Sequence, residues 1–274
     1  MGTIAPMCDC DGDHGSTRRD VLVGAAVGAA ALVAAGRLAS GHVAAAGPVD
    51  VSADAPAEEV MPGLWIFPRN AWGADLPPKA ATVREDPRFL LVHHTASSNT
   101  YSTARSVIRG TYAWQTSAAK GWKDVCYEFF IGRDGDVWEG RAGAMAGPVV
   151  ADATGGSQGF AQLVCLLGDF TSVAPTARAQ DSLVKVLAWL ADRYDISVDP
   201  GATTSFTSRG SQRWAAGVFV TTPTIAGHRD MSYTECPGNT FYPMIDGIRG
   251  RVRAQRDEWS SALRPARRIG PAET

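Results

Sequence analysis

Short apolar runs without alternation, set among segments of helical periodicity, constrain this chain most. Phe89 to His93, Val125 to Ile131 and Ala161 to Leu167 are rich in β-branched, aromatic or aliphatic residues and lack a consistent polar face. Such runs belong in a sheet that is covered on both sides. Arg133-Asp134-Gly135-Asp136 supplies hairpin chemistry, and Val137-Trp138-Glu139 reads as the returning strand. Helical spacing joins Leu183, Leu187, Leu190 and Tyr194 over 177–194, with Thr176 placed as the N-cap after Pro175. Ile245, Ile248 and Val252 give 242–259 an apolar side, and 102–115 forms a third helical segment. The expected class is α/β: a mixed central β-sheet flanked by helices.

At 274 residues and 45% apolar composition, the chain suits one domain of ordinary size once a leader is removed. Residues 1–46 read as that leader. Arg18-Arg19 precedes an Ala/Gly-rich apolar stretch from Val21 to about Ala35, and small residues follow up to Ala46. The stretch is shorter than the ~20 residues a membrane-spanning helix needs. Paired arginines before a weakly apolar segment resemble a Tat signal. The expected location is secreted and cell-wall associated, with no stable membrane anchor after leader removal. Residues 47–61 are acidic and Pro/Ala-rich and read as a linker; 62–260 form the domain and 261–274 a solvated tail. A net charge of −2 with mixed signs gives no basis for a nucleic-acid partner. Residues 199–222 read as a long polar loop, either the wall of a cleft or a segment pinned to the body by Trp214.

Of five cysteines, Cys8 and Cys10 fall in the leader. Cys126, Cys165 and Cys236 remain, an odd number that excludes a disulfide scaffold. Cys126 and Cys165 are expected as buried thiols on strands.

Residues 227–238, GHRDMSYTECPG, place a histidine and a cysteine in a loop of turn-formers. His228 and Cys236 are either two ligands of a zinc ion or a turn residue and a buried thiol. His93-His94 closes the first apolar run. On a strand the two rings point to opposite faces, so only one can join the pair. Two His and one Cys would leave a fourth tetrahedral position for water, as in catalytic zinc sites.

VHHTAS (92–97), GWKDVCYEFFIGRDGDVWEGR (121–141), LLGDF (166–170) and GHRDMSYTECPG occur in the order found in zinc-dependent N-acetylmuramoyl-L-alanine amidases. More narrowly, residues 62–255 resemble the peptidoglycan recognition protein branch, and PRNAWGAD (68–75) resembles the opening segment of that domain. The resemblance implies a single amidase-like domain with Zn2+ bound by His93, His228 and Cys236. It assigns Tyr127 and Thr234 to catalysis and places His94 and Thr95 on the substrate side. Peptidoglycan or a muropeptide is the implied partner. Zinc would lower the pKa of water towards ~7, so that hydroxide attacks the amide between the lactyl group and L-alanine. Tyr127 and Thr234 would then stabilise the oxyanion.

Several neighbours carry weaker expectations. Glu128 is expected on the face opposite Tyr127, toward a helix or paired in solvent. Glu235 is either a partner that orients a ligand or a solvated carboxylate. Arg229 and Asp230 are expected to tie the loop down. The chain departs from the resembled pattern at Met145, where a histidine is common, and at Ala142-Gly143, where Gly-Trp is common. A muropeptide-binding module without catalysis is the alternative, and a stem peptidase is a third reading.

Overall fold

A computed structural model describes residues 55–153 and 159–263. The proposed leader, most of the linker and residues 264–274 of the tail lie outside the described residues.

Among the described residues, nine strands and four α-helices follow in chain order: β1 (Glu58–Met61), β2 (Leu64–Phe67), α1 (Asn70–Gly73), β3 (Phe89–His94), α2 (Ala104–Gln115), β4 (Phe129–Ile131), β5 (Val137–Glu139), β6 (Ala161–Leu166), α3 (Ala177–Arg193), β7 (Thr203–Thr207), β8 (Phe219–Pro223), β9 (Ile225–Gly227) and α4 (Ile245–Leu263). Seven strands form one sheet in the order β1-β2-β5-β4-β6-β3-β9, while β7 and β8 form a separate hairpin. The β1/β2 and β4/β5 pairs are antiparallel, and the others in the large sheet are parallel. The mixed sheet is therefore as expected.

At the centre, β3 and β6 are buried along their whole lengths. Leu90, Val92, Val164 and Leu166 face α3 and α4, where they meet Leu183, Leu187, Ile248 and Val252. Phe89, Leu91, Leu163 and Cys165 face the other way, against Ile108 and Tyr112 of α2 and Phe206 and Val220 of the hairpin. The side chains alternate between two covered faces, which is why the sequence shows no polar stripe. Thr176 caps α3 by accepting from the Ala179 N–H at 3.1 Å, and Thr103 caps α2 through the Ser106 N–H at 3.2 Å.

Three expectations change. The linker ends earlier than read: its last four residues, Glu58–Met61, form β1 and pair with β2. Gly63, at φ +72°, makes the intervening turn. The tail starts later, because α4 runs to Leu263. The long polar loop over 199–222 contains the β7–β8 hairpin. Its inward residues, Phe206, Val220 and Thr222, alternate with half-buried Ser205 and exposed Thr207, Phe219 and Thr221. So few apolar residues made the alternation easy to miss.

Candidate metal centre and adjoining groove

Strand register builds the first half of the site. Strand β9 pairs in parallel with β3, Val92 opposite Gly227. One step on, His93 and His228 meet side by side, with ring centroids 4.4 Å apart. Adjacent strands lie about 4.8 Å apart, so consecutive register positions at two parallel strand ends bring side chains within joint reach.

The turn-rich loop supplies the third donor. Arg229 N–H donates to the Cys236 carbonyl at 3.0 Å, which closes the loop on itself. Arg229 also donates to the Asn239 side chain at 2.9 Å and stacks over Tyr242 at 4.6 Å. Asp230 accepts from the Gly227 N–H at 2.9 Å and from the Tyr242 hydroxyl at 2.5 Å. Both residues thus anchor the loop, as expected. Gly238 must be glycine: φ is +108°, and a Cβ there would lie 2.3 Å from the Phe170 carbonyl carbon.

The outcome is a buried cluster of His93, His228 and Cys236 whose donor atoms all lie within 4.8 Å of one another. Cys236 Sγ is 3.7 Å from His93 Nδ1. Zinc bonds of ~2.0–2.1 Å to nitrogen and ~2.3 Å to sulfur at a tetrahedral angle would separate these atoms by about 3.6 Å. His228 Nδ1 is buried and has no hydrogen-bond partner among the described residues. A buried nitrogen of that kind is costly unless something binds it. Two imidazoles and one thiol fit zinc by donor chemistry as well as by spacing. Cys165, opposite His93 in the β3/β6 ladder, does not belong to the cluster.

Tyr127 lies just before β4, its ring centroid 5.1 Å from that of His93. Thr95, two positions beyond His93, accepts from the Gly168 N–H at 2.9 Å. Both line a small solvent-open groove, together with Thr111, Trp114, Gln115, Lys120 and Trp122. Thr234 is half-buried beside the cluster, and its Oγ1 accepts from the Cys236 N–H at 3.2 Å.

Strand alternation turns the buried His94 ring away from the cluster and toward Phe170, whose N–H donates to His94 Nδ1 at 3.2 Å. The His94 contribution is its backbone N–H, which donates to Cys236 Sγ at 3.3 Å. Glu235 is exposed and accepts from Asn239 Nδ2 at 3.1 Å, so it is the solvated carboxylate and orients no ligand.

Glu128 does face away from Tyr127, but it is fully buried and not paired in solvent. It accepts from the Leu163 N–H at 2.7 Å. Burial, then the neighbouring Glu85, hold its carboxyl well above the usual carboxylate range. Met145 packs on the α3/α4 side of the sheet, and Cys126 and Cys165 are buried thiols as expected.

Two residues that support the site, Ser211 and Arg213, escaped the sequence reading, while Trp214 pins the segment to the body as one of its two readings had it. At the tip of the β7–β8 hairpin, Arg213 donates to the Arg229 carbonyl, Trp214 Nε1 to the Asp230 carbonyl at 3.5 Å, and Ser211 to the Met231 carbonyl at 3.4 Å. Three consecutive carbonyls immediately after His228 are held from one side. The signal was Phe206 and Val220 bracketing a Gly/Ser-rich turn.

A family profile described as N-acetylmuramoyl-L-alanine amidase matches residues 83–239, more than half of the chain and the whole metal cluster. The chain belongs to that family. Among curated relatives of this chain, pig N-acetylmuramoyl-L-alanine amidase is 27% identical over 191 residues, 66% of this chain but only 26% of the pig protein. Peptidoglycan recognition protein 1 of Bos indicus is 27% identical over 186 residues, covering 66% of this chain and 82% of the relative. In fold, the chain resembles a Drosophila PGRP-LB variant solved in complex with tracheal cytotoxin, with a TM-score of 0.50, 23% identity, and coverage of 66% of this chain and 92% of that one.

Proposed function

We propose that this chain is an exported, zinc-dependent amidase that hydrolyses the bond between the lactyl group of N-acetylmuramic acid and L-alanine in peptidoglycan. The observation that carries this reading is the buried His93, His228 and Cys236 cluster, against which packs Tyr127, a residue that also lines the adjoining groove with Thr95. The family match supports the amide-hydrolysing class, and the names of the relatives support a peptidoglycan or muropeptide ligand.

Bound by these three side chains, zinc would supply a Lewis acid and a water of lowered pKa. Cys236 must ionise to bind it, and the His94 backbone N–H directed at Sγ favours the thiolate. Tyr127 orients its ring against His93, and Thr95 forms the groove wall beside the reacting amide. Thr234 uses an oxygen lone pair on the Cys236 N–H, which leaves its hydroxyl proton to donate elsewhere. The Tyr127 and Thr234 hydroxyls are assigned to the oxyanion that forms as the amide carbonyl becomes tetrahedral.

A second reading, a recognition module without catalysis, is favoured by the similarity to a protein named for recognition. Digesting purified peptidoglycan with the zinc-loaded mature chain and with Cys236→Ala separates the two. Newly exposed N-terminal L-alanine, identified by mass spectrometry and absent with the variant, supports the amidase. Binding without cleavage supports the module. Export rests on the Arg18-Arg19 leader. Replacing both by Lys should strand the precursor in the cytosol, and normal export of that variant would refute the Tat route.

Among the described residues, no helix is long and apolar enough to cross a membrane.

A further inference from the structure

We infer that Gln115 is a positioning residue for the proposed hydrolysis: its side-chain amide, fastened to Cys126, fixes the backbone that aims Tyr127 at the metal cluster. The inference rests on the proposed amidase reading and on the oxyanion assignment of Tyr127.

Strand pairing does not hold Tyr127 in place, because β4 starts two positions later, at Phe129. Tyr127 and Phe130 nonetheless lie on the same side of the sheet, in the cluster covered by α2 and the β7–β8 hairpin, with ring centroids 5.5 Å apart. Residues three apart in a regular strand face opposite sides. The alternation therefore breaks between them, and the break turns Tyr127 toward His93. A break of this kind gives up ladder bonds, so other groups must supply the buried backbone with partners.

Those partners are side chains and the residues that follow β5. The Tyr127 and Glu128 carbonyls accept from the Arg141 and Gly140 N–H groups at 2.9 and 2.8 Å. The Val125 carbonyl accepts from Arg141 Nη1 at 3.2 Å, and the Val125 N–H donates to Asp124 Oδ1 at 2.8 Å. The Cys126 N–H donates to Gln115 Oε1 at 2.9 Å. Of these bonds, only the last reaches across to α2, whose final residue is Gln115.

Gln115 is buried, and it uses both ends of its amide on one residue, since Nε2 also donates to Cys126 Sγ at 2.8 Å. A backbone N–H can only donate, so it fixes the oxygen end of the amide, and the thiol takes the nitrogen end. A side chain held at both ends cannot rotate without giving up both contacts. The Gln115 carbonyl accepts from the Trp122 N–H at 2.9 Å, which draws the start of the segment to the same point. Tyr127 follows Cys126 directly. A shift of the Cys126 peptide swings the hydroxyl at the far end of the phenol, and misplacing a catalytic group by ~1 Å can cost ~10²-fold in rate.

The test is a double-mutant cycle on the zinc-loaded mature chain, with a soluble N-acetylmuramoyl-L-alanyl peptide as substrate. Gln115→Met keeps the length of the side chain and removes the amide acceptor for the Cys126 N–H. Rates, zinc content and urea unfolding are measured for Gln115→Met, Tyr127→Phe and the double variant. Gln115→Met is expected to lower kcat ~10–100-fold, with KM within about twofold and zinc retained. In the Tyr127→Phe background the same change should cost less than about threefold, because the hydroxyl it aims is already gone. Gln115→Glu keeps an acceptor at the same reach and should recover most of the rate. If Gln115→Met does not fold, Gln115→Asn, whose shorter side chain withdraws the amide, takes its place in the cycle.

An undiminished rate in Gln115→Met, an equal loss in both backgrounds, or a Gln115→Glu chain as slow as Gln115→Met overturns the inference and leaves the amidase reading standing. A wild-type chain that holds zinc and cleaves nothing overturns the amidase reading and the inference with it.

Discussion

Cys236 Sγ lies 3.7 Å from His93 Nδ1, although 143 positions separate the two residues. The loop from His228 to Cys236 closes that distance by folding back on itself, and Gly238 then packs without a Cβ onto Phe170. Phe170 in turn donates its N–H to His94, on the far side of the strand that bears His93. Loop closure, close backbone approach and strand end form one continuous support beneath the cluster.

Gly238→Ala tests that support. The added Cβ would meet backbone atoms of Phe170 at 2.3 and 2.4 Å, and φ is +108°. Neither obstacle can be relieved by turning a flexible side chain. The variant is expected to lose about 2 kcal/mol or more of stability in urea unfolding and to bind zinc more weakly. Wild-type stability would show that the loop relaxes freely.

Tyr127→Phe removes only a hydroxyl from a ring packed against His93 and Phe130. Amide hydrolysis should fall ~10²–10³-fold, with one zinc per chain retained. An unchanged rate would remove Tyr127 from the oxyanion assignment and leave the metal assignment intact.

The hairpin tip predicts a different signature. Trp214, Ser211 and Arg213 touch carbonyls of the metal loop and none of the cluster's donor atoms. Trp214→Ala should weaken zinc binding ~10–100-fold in competition with a chelator, as losses in the shell behind metal ligands do. Tight zinc binding by that variant would show that the loop is held by its own Arg229 and Asp230 bonds.

The legible part of this chain was what period and spacing encode. Strand β3, helices α3 and α4 and the hairpin at Gly135 follow from patterns of several residues, and the HH pair on a strand placed one ring on each face. The resemblance, carried by four motifs in order, then connected His93, His228 and Cys236. The role of His94 was not legible, because whether a ring on the second face meets substrate depends on Phe170, which arrives from another strand's end. The β7–β8 hairpin was hidden because only two large apolar residues, Phe206 and Val220, are buried by it.

Stability should depend on pH through Glu85. Burial pushes its carboxyl up to about 8, against an ordinary value of 4.5, despite the Gln162 amide donating to it at 2.5 Å. The folded chain therefore keeps a proton that the unfolded chain releases above pH ~4.5. The Glu85 contribution to stability is full below that pH and declines as the pH rises toward 8, by at most ~1.4 kcal/mol per unit for one proton. Glu85→Gln should flatten part of the decline in urea titrations between pH 5 and 8, with Glu128 still contributing. An identical slope in the variant would contradict the assignment.

X-ray absorption at the zinc edge of the purified mature chain tests the central claim most directly. The expected spectrum shows one zinc per chain with two imidazole nitrogens at ~2.0–2.1 Å, one sulfur at ~2.3 Å and a single exchangeable light atom. The sulfur shell should vanish in Cys236→Ala. A second sulfur, a fourth ligand supplied by the protein, or a chain that takes up no zinc would contradict an open hydrolytic centre at His93, His228 and Cys236.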